Sequence, residues 1–160
     1  MTQWYRWAGL LVAILICFAA AGFGGLVTTP QIPHWYAQLA KPDWTPPDWV
    51  FGPVWTLLYL MMAVAAWLVW RRRGWAGAKL PLALFGVQLG LNSLWSVLFF
   101  GLQRPGLAAI EIVILWAAIL ATTVAFWPRS RWAGGLMVPY LVWVTFALAL
   151  NVVIWQMNRG

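Results

Sequence analysis

Five apolar runs, at about 7–27, 51–70, 80–102, 107–127 and 132–155, divide this chain, and nearly all its formal charges fall in the intervals between them. About 20 consecutive apolar residues suffice to cross the hydrocarbon core of a bilayer as a helix. Backbone groups in lipid must be satisfied within the segment, and the alternation expected of a barrel is absent, so each run predicts an α-helix. The expected architecture is all-α, an integral membrane five-transmembrane-helix bundle forming a single domain over residues 1–160. The connections after the second, third and fourth runs are short and place successive helices antiparallel. Residues 28–48 form the one long connection, enough to fold back over an end of the bundle as a lid.

Within the runs, polar and aromatic positions fall at helical spacing. Phe51, Trp55 and Tyr59 lie at i, i+4 and i+8; Gln88, Asn92 and Trp95 at i, i+4 and i+7, with Phe99 continuing the row and Ser96 beside it. Tyr140, Trp143, Ala147 and Asn151 lie at i, i+3, i+7 and i+11. One such stripe is ordinary packing, since an Asn or Gln in a span often bonds a neighbouring helix. Three stripes at comparable depth predict convergence, and apolar walls with a few hydrogen-bonding groups are what a small-molecule site requires. Pro42, Pro46, Pro47 and Pro53 are expected to hold the segment 35–59 out of regular helix. Pro139 is expected to kink the last helix beside Tyr140 and Trp143. Ala20 with Gly24, and Ala21 with Gly25, read as close helix contact and a possible dimer surface.

Composition agrees with the pattern: 64% of residues are hydrophobic and 8% charged, with a mean hydropathy of +0.79. The net charge of +7 sits at span boundaries, which excludes a nucleic-acid-binding face and reads as an orientation signal. Arg6, Arg71, Arg72, Arg73, Lys79, Arg129 and Arg131 fall on one side, and Lys41, Arg104 and Arg159 with Asp43 and Asp48 on the other. The positive-inside rule then puts the N-terminus in the cytoplasm and the C-terminus outside. The length of the first run, its aromatic flank and its glycines favour a retained helix over a cleaved leader. Cys17 is the single cysteine and makes no internal disulfide.

Candidate chemistry is sparse. His34, the single histidine, excludes a bis-histidine haem site within one chain and reads as an interfacial residue; no Cys/His cluster supports a metal. Asp43, Asp48 and Glu111 lack the basic partner that acid–base catalysis needs. Asp43 is expected to cap a turn among the prolines and Asp48 to favour a helix N-terminus. Glu111, near the start of the fourth run, is placed where interfacial water or a partner reaches it; a proton-coupled transporter of hydrophobic molecules using Glu111 is the rival function.

Three segments, WYAQLAKPDWTPPDWVFGPVWTLLY, QLGLNSLWSVLFFG and VPYLVWVTFALALN, resemble in order and spacing the translocator protein family, also called tryptophan-rich sensory proteins or peripheral-type benzodiazepine receptors. The resemblance covers residues 35–151. It implies a five-helix membrane protein, a homodimer surrounded by lipid, that binds porphyrins such as protoporphyrin IX or a related tetrapyrrole and needs no cofactor. Its role would be tetrapyrrole-linked sensing, transfer or light-dependent breakdown, in a bacterial membrane. By position the resemblance places Tyr36 in the lid and Trp55, Asn92, Trp95, Trp143 and Ala147 in the pocket, with Trp55 and Trp143 tied to photo-oxidation. One departure stands at LNVVIWQMNR, where Val152 and Val153 replace the tyrosine of a sterol-recognition pattern, which weakens the case for sterol binding. Porphyrin propionates would want cations near the mouth; Lys41 and Arg104 are the candidates, with Lys41 read first as a marker of the membrane interface.

Overall fold

The computed structural model describes residues 3–160. Its four long helices are α1 (Gln3–Thr28), α2 (Asp48–Ser96), α3 (Pro105–Phe126) and α4 (Arg131–Asn158), all long and apolar enough to cross a membrane. A 3-10 turn (Thr29–Gln31) and a π-helical turn (Ile32–Tyr36) follow α1, and a second π-helical turn (Val97–Gly101) prolongs α2.

The count of helices is four rather than five, because the interval expected to connect the second and third runs stays helical. Arg and Ala in the stretch RRRGWAGAK sustain helical dihedrals, and only Gly74 departs, with φ 62° and ψ −174°. That region is closed to side-chain-bearing residues, so the bend depends on glycine. The two limbs of α2 then lie against each other in opposite directions: Asn92 Nδ2 donates to the Tyr59 hydroxyl at 3.1 Å, and Gln88 Nε2 approaches Met62 Sδ at 3.7 Å. Trp70 and Trp75 meet edge to face across the bend, 6.1 Å between centroids.

α1 packs on α2 through its first half. The Trp67 indole N–H donates to the Arg6 carbonyl at 2.8 Å, Trp7 stacks on Trp67, and Gly9 lies under the Trp70 ring, where a Cβ would collide with it. Phe18 against Tyr59, at 6.5 Å, is the last aromatic pair between the two helices. Farther along α1, a Cβ added at Gly22 or Gly25 would meet nothing within 4 Å, and the same holds at Gly52 on α2. A Cβ added at Gly24 would make ordinary contact with Ser96 Oγ, at 3.4 Å, so α1 faces a neighbour at Gly24 and open space at Gly25. α4 starts with Ser130 as its N-cap, accepting from the Ala133 N–H at 3.3 Å, and continues as helix through Pro139.

The cations sort to two ends. Arg71 lies over Trp67, which is bonded to Arg6, and Arg129 Nε donates to the Gly77 carbonyl at 3.3 Å. At the opposite end Arg159 lies over Trp155, and Asn158 joins the lid that carries Lys41. The lid itself is partly regular. Pro42, Pro46 and Pro47 lie outside helix as expected, whereas Pro53 is within α2, six residues into the helix and past the first turn. The turn after Pro42 is closed by Thr45, whose backbone N–H and hydroxyl both donate to the Pro42 carbonyl, at 3.0 and 2.7 Å, and not by Asp43. Asp48 occupies the first turn of α2, where negative charge suits the helix dipole.

Candidate functional site

Below the lid the helices enclose a chamber of about 590 Å³ with a mainly apolar wall. Ten of the twelve residues proposed for a site from the sequence line it. Phe51, Trp55 and Tyr59 come from the first limb of α2, and Asn92, Trp95 and Ser96 from the second. Trp143, Ala147 and Asn151 come from α4, and Tyr36 from the lid. The remaining two sit one layer deeper. Gln88, wholly buried, is spent against Met62, one turn below Asn92; Tyr140, also wholly buried, backs Trp55 with its ring edge-on at 6.2 Å. Each stands about one helical turn before a wall residue of its own helix, Asn92 or Trp143, and does not reach the space.

Aromatic contacts fix the wall. Trp143 meets Phe51 at 6.0 Å and Trp55 at 6.5 Å, both edge to face. On the opposite wall Trp95 stacks on Phe99 at 5.1 Å. Edge-to-face and offset pairs are the favoured geometries of such rings. Polar groups orient the wall as well: the Trp95 indole N–H donates to Asn151 Oδ1 at 2.9 Å, and Asn151 Nδ2 donates to the Pro105 carbonyl at 2.8 Å. One amide thus ties a chamber indole on α2 to the start of α3.

The lid seats Tyr36, almost fully buried, among Phe99 and Phe100. Lys41 is committed to this lid: its ammonium donates to the Tyr36 carbonyl at 2.7 Å and lies 4.6 Å over the Tyr36 ring. Neither Lys41 nor Arg104 is in the chamber wall; the charged side chain that does line it is Asp48. His34 is exposed outside the wall. Glu111 is 5% exposed, and neither carboxyl oxygen has a hydrogen-bond partner among the described residues. Expected within reach of interfacial water, it is instead enclosed by the bundle and outside the chamber wall.

The stripes did not reveal the contribution of α1. Phe18, Ala21 and Gly25 line the chamber, and Gly25 was read as helix contact because small residues carry no sign of which side they open. Phe146, Leu150 and Ile154 extend the α4 face; they fall three, seven and eleven residues past Trp143, so the periodicity that located Trp143 also contained them.

Long apolar helices around an aromatic chamber define a helical membrane protein with an internal cavity under a proline-bearing lid. Residues 13–156 match the TspO/MBR family, and the chain belongs to it. It is 43% identical over 149 residues to the tryptophan-rich protein TspO of Archaeoglobus fulgidus, covering 92% of this chain and 96% of that one. It is 40% identical over 152 residues to the tryptophan-rich sensory protein of Cereibacter sphaeroides, covering 95% and 92%. With the human translocator protein it shares 43% identity over 129 residues, covering 79% and 76%.

Proposed function

We propose that the chamber binds a flat, largely apolar guest of the tetrapyrrole class, with protoporphyrin IX as the representative, for sensing or transfer within the membrane. The observation that carries this reading is the wall itself: Trp55, Trp95 and Trp143 offer indole faces around one space, with Tyr59, Asn92 and Asn151 as the nearby polar groups. Burial and stacking supply most of the attraction for a planar macrocycle, and a few donors set its orientation. The volume lies within the range of about 300–1,000 Å³ usual for small-molecule sites. The two limbs of α2 are proposed to cross the bilayer separately, giving five crossings. The end bearing Arg6, Arg71 and Arg129 then faces the cytoplasm and the lid faces outside.

Tryptophan fluorescence quenching by protoporphyrin IX tests the site. Saturable quenching is expected, with affinity falling about tenfold in Trp143→Ala and by a smaller factor in Asn92→Ala. Equal affinity in both variants and the parent protein would place the guest elsewhere.

A second reading, light-driven oxidation of the bound pigment by oxygen with Trp55 or Trp143 exchanging an electron, draws support from their mutual contact on the chamber wall. Under illumination in air, pigment loss is expected to slow in Trp55→Phe and Trp143→Phe. Identical loss in all three proteins would remove any role for these indoles.

A further inference from the structure

The lid is clasped over the end of the chamber, and exposed wall residues continue down its side. At the end, the Ala40 N–H donates to Asn158 Oδ1 at 3.0 Å and Asn158 Nδ2 donates to the Ala40 carbonyl at 2.8 Å, so the lid is clasped to the last turn of α4. Lys41 and the buried Tyr36 reinforce the clasp from within.

At the side, the wall residues that are also exposed are Gly22, Thr29, Asp48, Trp49, Gly52 and Thr56. All six belong to the end of α1, the turn after it, or the first turns of α2; every wall residue from Asn92 onward is half-buried or buried. A residue that faces both the cavity and the exterior marks an opening. At 1.5 Å per residue, Thr56 lies about 12 Å along the helix from Asp48, so the opening runs well below the lid into the apolar depth of the bundle.

The helix pair explains the gap. α1 and α2 are joined by ring contacts from Tyr5 to Phe18 and hold none beyond it among the described residues. Side chains that would fill the divergence are missing at Gly22, Gly25 and Gly52, each of which borders open space. Below Asp48 the Thr56 hydroxyl is turned back to the Gly52 carbonyl at 2.9 Å, so its hydrogen bond is spent within the helix. Among the described residues, the exposed wall positions below Asp48 on α2, Trp49, Gly52 and Thr56, carry no formal charge.

Resting on the reading of the chamber as a guest site, we infer that the guest enters and leaves sideways, from the bilayer, through the slot between α1 and α2, while the lid stays clasped. The substrate class is therefore one already dissolved in lipid, and the surrounding membrane is the reservoir from which the protein draws it.

The two routes separate when proteoliposomes are mixed with protein-free vesicles loaded with protoporphyrin IX, with association followed by stopped-flow tryptophan quenching. In the double variant Ala40→Cys with Asn158→Cys, oxidation locks the lid, and the association rate is expected to stay within about twofold of the reduced form. Gly52→Leu, whose added side chain starts in open space, is expected to slow association about tenfold or more while quenching still climbs to saturation. Gly52→Ala, the gentler change, is expected to give intermediate slowing. A locked lid that stops association while both Gly52 variants bind at the parent rate would overturn the lateral route. Absence of saturable quenching in the parent protein would instead overturn the guest site on which the route rests.

Discussion

Asn151 shows how much one amide can organise inside an apolar bundle. It accepts from Trp95 on α2 and donates to the carbonyl of Pro105 at the start of α3, while buried to 1% exposure. Asn151→Ala leaves the Trp95 indole N–H without its partner and removes the tie to α3, a cost of about 1–3 kcal/mol. Thermal unfolding in detergent should show it as a clear drop in Tm, with Asn151→Asp intermediate because the acceptor for Trp95 survives. At this scale the sequence was readable where a polar residue interrupted an apolar run at helical spacing, as with Asn92 and Asn151. It was unreadable for Gln88 and Tyr140: spacing fixes the face of a helix but not the depth at which a neighbouring side chain, here Met62 or Trp55, occupies the space.

Among the elements, the bend in α2 depends most directly on one residue. Gly74→Ala forces a Cβ into φ 62°, ψ −174°, a strain of about 1–3 kcal/mol. Lowered stability is expected with little change in helix content, checked by thermal melts monitored by circular dichroism. Parent-like melting would mean that the limbs, held by the Asn92–Tyr59 bond, carry the hairpin without it. Hydropathy located the apolar lengths well, and their expected ends agree with α1, α3 and α4 within a few residues, because charges and prolines punctuate them. The 71–79 interval, expected as a connection, reverses the chain at Gly74 alone and stays helical on either side, because a charge cluster marks a membrane boundary without itself interrupting helical dihedrals. Pro53 was misjudged for a related reason: a proline near the start of a helix removes one backbone bond without ending the helix.

Across the whole molecule, the lid and the end of α4 form one unit although they are separated by most of the chain. The two bonds between Asn158 and Ala40 are exposed and contribute about 1 kcal/mol each. Asn158→Ala is therefore expected to raise amide hydrogen exchange across residues 37–42 by about tenfold, leaving the cores of α2 and α3 as protected as before. Unchanged exchange in that stretch would show that Tyr36 alone anchors it. No pattern in the sequence pairs residue 40 with residue 158, since a side chain bonding a distant backbone leaves no periodic trace. The glycine-bordered divergence of α1 from α2 is equally silent there, because a missing side chain looks the same whether a helix or nothing stands opposite.

The hairpin at Gly74 also makes the two limbs of α2 a single covalent lever. Phe51, Trp55 and Tyr59 ride on one arm and Asn92, Trp95 and Ser96 on the other, so six of the ten chamber-lining positions anticipated from the sequence share one pivot. A disturbance at that fulcrum, at the far end of the arms from the cap, would be felt as a change in the spacing of the jaws.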